Sequence, residues 1–415
     1  MFIIVSLVGS LRMRDIVFYL HMHQPYRVRP YTVFDIGDRH DYFASYSETT
    51  DNQAIFHKVA HKSYHPMVAL LKRLIDDEPN FSVNLSISGV FLEQCEAWDP
   101  ALLRSVKELV ATGRVELVAE TYHHSLAFFY SRFEFEKQVA MHEQALEKHF
   151  SLKPTVFRNT ELAYNNDLGA WAEDAGYKAV ITEGWDPVLN WRSSHYLYSP
   201  QGATKTALFL KDYRLSDDVA FRFSNKQWAE WPLTADKYRG WFDALPEDEA
   251  LINLFMDFET FGEHQWHETG IFEFFESFAR AWCHDGHRFA TFGQALETHA
   301  VHDSIDMPNT VTWADNERDL TAWLGNALQQ EAAEALYKLE EPIIRSGDDE
   351  LIADWRHLQA SDHLYYLSTK WFDDGNVHAY FSPYESPYDA FLYYMNTIRD
   401  LRYRVFVASE AQRAL

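Results

Sequence analysis

The sequence predicts an α/β fold with parallel strands, followed by a helical C-terminal part. Three observations predict it. Short apolar runs alternate with segments of helical spacing from Asp15 onward. The runs are nearly continuous in apolar character, as in strands covered on both faces by crossover helices. Ionisable residues gather where the runs end, at His21, His23, Glu120, Glu161, Glu183 and Asp257. Strand C-termini share one open face in a (β/α) barrel and one edge in a doubly wound sheet, so the pattern places a site and leaves closure open.

The expected strands are residues 15–20, 81–90, 114–120, 155–162, 177–183, 206–210 and 251–257, with a weaker eighth at 288–292. Helical spacing covers 52–75, 133–149 and 166–175. Another helix opens at Asp99-Pro100, where Asp caps free amides and Pro suits the first turn, and stops before Gly113. Beyond residue 310 the texture becomes helical, at 321–341, 350–369 and 387–405. The expected organisation is a catalytic unit, 13–309, and a helical unit, 310–415, packed over its open face. Residues 1–12 are apolar, without a basic start or a small-residue cleavage site. They are too short to span a membrane and read as an extension ahead of the first strand.

Acidic residues outnumber basic ones by 62 to 37, a net charge of −25. Such a surface repels phosphate backbones and anionic lipids, which argues against nucleic acid and membrane partners. The two cysteines, Cys95 and Cys283, form neither a disulfide framework nor a zinc spacing, and a reducing cytoplasm is the expected compartment. Aromatic residues make up 16% of the chain, enough to stack on sugar rings beyond what a core needs, though packing is the alternative.

Asp257-Phe-Glu259 follows an apolar run and precedes Gly262. Two carboxylates at i and i+2 of a strand would point the same way, and burying one beside the other raises a pKa, as a general acid requires. Glu161 ends another strand, and Arg158 would keep it charged, which suits a nucleophile. His21 and His23, with His124 after the third strand, fit three roles: metal ligands, partners of sugar hydroxyls or of a carboxylate, or structural histidines. Glu116 lies within a strand and needs a partner there. Trp185, Trp191, Trp228, Trp231 and Trp241 could stack on sugars or pack. Asp362 and His363 could lend a polar group to the site or form a salt bridge on a helix.

His23-Gln24-Pro25, Gly113-Arg-Val-Glu116-Leu-Val118, Phe157-Arg-Asn-Thr-Glu161 and Asp257-Phe-Glu259-Thr-Phe-Gly262, in this order, resemble the motifs of glycoside hydrolase family 57. The resemblance implies an incomplete seven-stranded (β/α) barrel followed by helices, and α-glucan or malto-oligosaccharide substrates cleaved with retention. By that likeness Glu161 is the nucleophile and Asp257 the general acid/base, with His23, Glu116 and Glu259 around the reacting sugar and Asp362 contributed by the helical part. It implies no catalytic metal and no cofactor. Phe258 departs from a small Gly in the family pattern, and Arg158-Asn-Thr160 from a Trp-Leu lead-in. The relatives include amylases, 4-α-glucanotransferases, branching enzymes and α-galactosidases, so an α-amylase-type hydrolase and a transglycosylase both stand. A metal-dependent, deacetylase-like hydrolase using His21, His23, His124 and Asp257 is a further alternative, and a non-catalytic glucan binder another. A retaining pair would set the Glu161 and Asp257 carboxyls about 5–5.5 Å apart.

Overall fold

The computed structural model describes residues 13–370 and 377–413; the expectation for residues 1–12 lies outside them. The described strands are β1 (Asp15–Met22), β2 (Val83–Ile87), β3 (Val115–Leu117), β4 (Val156–Arg158), β5 (Ala179–Glu183), β6 (Leu197–Pro200), β7 (Ala207–Lys211), β8 (Leu251–Asp257), β9 (Arg288–Phe289) and β10 (Val301–Ile305). They form two five-stranded sheets, β3-β2-β1-β8 with β9 added beside β1, and β10-β6-β7-β5-β4. All pairings are parallel except β6 with β7.

The sheets meet at two seams. Beyond β3, the Ala119 N–H donates to Val156 O (2.9 Å) and the Arg158 N–H to Ala119 O (2.8 Å). Beyond β7, the Asp212 N–H donates to Asn253 O (2.8 Å), and the Asn253 amide returns a bond to Leu210 O (2.9 Å). The mixed α/β architecture and the helical C-terminal part are as expected. Ladder pairing itself stops at the seams.

Period-two alternation sends successive side chains of β1 and β8 into two different cores. Ile16, Phe18 and Leu20 of β1 face helices together with Leu254 and Met256. Val17 and Tyr19 face the other way and cluster with Val156, Ile181, Phe209 and Phe255, drawn from both sheets.

Several strands are shorter than expected, each for a local reason. β2 ends at Ile87 because Ser88 caps a helix, Gly89–Trp98. β4 ends at Arg158, after which Glu161 and Leu162 take φ of 60° and 53°. β9 is two residues long because Thr291 begins a capping box for the helix Phe292–Thr298. β6 and β10 were not expected; one ends in Pro200 and the other carries His302 and Asp303, so neither reads as an apolar run.

The expected helix over 52–75 is two helices, Asn52–Val59 and His65–Asp77, joined by a π-helical turn, Ala60–Tyr64. Pro66, at the start of the second helix, has no N–H to continue the α pattern. The C-terminal helices pack around Trp323 and Trp355, and their core takes in Val28, Tyr31 and Tyr42 from the loop after β1. Among the described residues no helix is long and apolar enough to cross a membrane.

Candidate active site

A cleft of about 460 Å³ opens at the C-terminal ends of β1, β7 and β8, under the 313–318 segment and the helix Ser361–Tyr365. His21, His23, His124, Glu161, Asp257, Glu259 and Asp362 all line it.

Glu161 is held from three directions. His124 Nε2 (3.0 Å) and the Ser361 hydroxyl (2.9 Å) contact Oε1, and the Trp313 indole N–H donates to Oε2 (2.8 Å). Burial alone would raise its pKa, but bonds to His124 and Trp313 and the charge of Arg158 outweigh this and keep Glu161 ionised. Its left-handed backbone is costly for a residue with a Cβ. His124, Asp315 and Arg318, which also line the cleft, share that conformation (φ 54°, 54° and 51°). Such strain collects where side chains are aimed at a function.

Arg158 fulfils the expected electrostatic role from an unexpected place. Its guanidinium is fully buried, with Nη1 2.9 Å from His21 Nε2, 3.3 Å from Glu120 Oε2 and 3.4 Å from His124 Nδ1. His21 Nε2 also lies 3.1 Å from Glu120 Oε2, and its Nδ1 faces Asp257 Oδ1 at 3.8 Å. His21, Glu120 and His124 have the spacing of a metal triad, yet their centre already holds the Arg158 cation. His124 bridges Glu120 and Glu161. Burial disfavours its charge, but the two carboxylates win and lift its pKa to about 9. His23 moves the opposite way: burial and the neighbouring His124 charge push it down to about 4, and it stays neutral between Ser88 Oγ (2.7 Å) and Asp362 Oδ2 (3.1 Å).

The Asp257–Glu259 pair departs from expectation. The strand ends at Asp257, and residues 258–260 form a 3₁₀ turn, so the two acids do not share a strand face. The acid with the raised pKa is Glu259. Burial and the charge of Asp257 lift it to about 8, and Tyr64 of the π-helical turn donates its hydroxyl proton to Oε1. Asp257 is also raised by burial, but His21, His264 and Arg158 together bring it below the usual carboxylate range.

Glu116 and Trp185 do not line the cleft. Glu116 Oε2 accepts the Gly293 N–H (2.7 Å) and so caps the helix Phe292–Thr298, where its charge favours the free amides. Trp185 packs against a buried cluster containing Leu189 and Tyr198. Trp228 and Trp241 pack on the largest core, and Trp191 and Trp231 are exposed. His363 is buried against Tyr394 rather than salt-bridged on a surface.

The indole in the cleft that reaches a carboxylate is Trp313, which sequence reasoning missed along with Ser361. They lie 152 and 200 residues from Glu161 in the chain, and no local motif marks them. Glu183, at the end of β5, is buried and grips Arg318 (2.9 Å), which in turn donates to Trp313 O. That chain of contacts fixes the indole that touches Glu161.

Carboxylates carried at or just past the ends of separate strands and facing one cleft are the equipment of a glycoside hydrolase. The chain belongs to glycosyl hydrolase family 57, whose model matches residues 17–308. A Methanocaldococcus jannaschii protein named "Putative alpha-amylase" is 41% identical over 404 residues, covering 94% of this chain and 84% of that protein. Two solved structures share the fold: GH57-type branching enzymes from Pyrococcus horikoshii (TM-score 0.67, 15% identity, 89% of this chain and 87% of that one) and Thermococcus kodakaraensis (TM-score 0.64, 16% identity, 88% and 87%).

Proposed function

We propose that the protein is a retaining, α-amylase-type hydrolase of α-1,4-linked glucans. Its strands β1-β2-β3-β4-β5-β7-β8 would form an incomplete barrel, a reading supported by the hydrogen-bonded seams and by the core shared between the sheets. Residues 13–309 make the catalytic unit and 310–415 the helical one. Cys95 and Cys283, both buried and free, fit a reducing cytoplasm.

The observation that carries the reading is the setting of Glu161: ionised, triply held, and opening on the cleft that Asp257 shares. Glu161 attacks the anomeric carbon as the bond to the leaving oxygen breaks and Asp257 delivers a proton to that oxygen. Asp257 then takes a proton from water, whose oxygen displaces Glu161. In the open cleft Asp257 is ionised, so it takes up its proton as glucan displaces water and strengthens the effect of burial. Glu259, two residues on, carries a carboxyl proton at neutral pH.

Incubation with maltoheptaose tests the reaction: hydrolysis yields new reducing ends, whereas longer products without them indicate the 4-α-glucanotransferase or branching activity named for structural relatives. Azide tests the roles. With an activated α-glycoside, azide rescue of Glu161→Gly should give the β-azide and rescue of Asp257→Gly the α-azide. The same anomer from both, or a near-normal rate for Glu161→Gly, refutes the assignment.

A further inference from the structure

We propose that Glu93, His123 and His357 form a structural site for a zinc-class divalent cation, clasping the C-terminal helices to the loop that carries His124. Glu93 lies on the helix Gly89–Trp98, His123 on the loop after β3, and His357 at the end of the helix Asp349–His357. Their ligand atoms lie within 4.8 Å of one another. None of the three lines the cleft.

The group is already arranged for ligation. His357 Nε2 stands 2.9 Å from Glu93 Oε2, near the roughly 3.3 Å that separates two ligands on one tetrahedral zinc. The Tyr122 hydroxyl occupies Glu93 Oε1 (2.9 Å) and turns Oε2 toward the histidines, as an outer partner of a metal-bound carboxylate does. Tyr26 and Phe43 pack edge-on against the His357 ring, at centroid distances of 4.8 and 5.7 Å. His123 is 2% exposed, and its Nδ1 has no hydrogen-bond partner among the described residues. A buried imidazole nitrogen without a partner calls for a ligand.

Among the described residues, two other groups of similar spacing are engaged otherwise. One surrounds Arg158, and the other uses His124 and His23, which hold Glu161 and Ser88. Here Arg356, next to His357, is taken up by Glu134 (2.9 and 3.1 Å) and leaves the centre free for a cation. Two imidazoles and one carboxylate are the donor set of zinc-type ions, and partly exposed Glu93 leaves a fourth position to water. The position explains what such an ion would do. His123 adjoins His124, and His357 leads into Ser361 and Asp362. Between them the Ser361 N–H donates to His124 O (2.9 Å), and Ser125 bridges Ala360. The cation would pin together the two segments that grip Glu161.

Full-length protein stripped with a chelator is titrated with Co²⁺ and then Zn²⁺. One equivalent of Co²⁺ should give the visible bands of a four-coordinate site, bleached by Zn²⁺, and Zn²⁺ should raise Tm. Glu93→Gln and His357→Gln should each weaken binding by about tenfold or more and abolish the Tm rise, while Asp362→Asn, in the cleft group, keeps both. Glu93→Gln, isosteric and partly exposed, decides the matter should His357→Gln not fold. Wild-type protein without Co²⁺ bands or a Zn²⁺-dependent Tm, or binding lost in Asp362→Asn and kept in Glu93→Gln, overturns the proposal.

Discussion

Replacing His124 with Asn tests how Glu161 is kept ionised. Asn tolerates the left-handed backbone at this position (φ 54°) but carries no charge and is too short to span Glu120 and Glu161. The lost contact is a 3.0 Å hydrogen bond to a buried carboxylate. Bonds to charged groups contribute about 1.5–3 kcal/mol, so kcat/KM should fall by roughly tenfold to 150-fold. The pH profile should change at both ends. Glu161 loses the hydrogen bond and charge of His124 that hold its pKa down, so the acid limb moves to higher pH. His124, protonated below about 9 in the wild type, no longer titrates, so the alkaline limb it causes disappears. Initial rates on an aryl α-maltoside across the pH range, fitted for both limbs, provide the measurement. A loss under about threefold, with both limbs where the wild type has them, would refute the electrostatic account of Glu161.

Stability should fall as pH rises through the alkaline range. His124 and His195 both have pKa values raised to about 9, His195 by Asp212 (2.7 Å) and Glu249 (2.5 Å), which outweigh its burial. The folded state therefore holds extra protons between about 6.5 and 9, and the stabilisation, complete below that window, drains away across it by a few kcal/mol in all. Denaturant midpoints at intervals through this range measure it; a flat profile contradicts the two ion pairs. Gly262→Ala should destabilise by about 1–3 kcal/mol, since φ is +108° and a Cβ would lie 2.0 Å from Lys62 O. Lys62 belongs to the turn carrying Tyr64, so the pKa of Glu259 should shift as well, readable by NMR titration; unchanged stability would contradict the close approach.

What was legible in the sequence was whatever lies within one strand and its end. β8 is found at the expected residues because seven consecutive positions repeat one environment, and Asp257 at its end marks the cleft. Glu161 and His23 announce themselves the same way. Glu116 misleads because a polar residue inside a strand reads alike whether it faces a cleft or caps a neighbouring helix. Glu259 misleads because a strand was extended through a turn that begins one residue earlier. Trp313, Ser361 and the burial of Arg158 depend on segments far apart in the chain meeting in space, and no local pattern encodes that. β6 escapes because it is short and ends in Pro, and the edge strand β10 because it is largely exposed and charged, so neither carries the apolar signature.

The three donors to Glu161 come from the loop after β3, from the segment past β10 and from the helix Ser361–Tyr365. A nascent chain could close its strands around Val17 and Phe255 and still lack the last of these contacts until residue 361 had left the ribosome and docked. Turnover would then report the final docking step of synthesis, whereas circular dichroism would register the strands long before it. A chain truncated before Ser361 would separate the two signals.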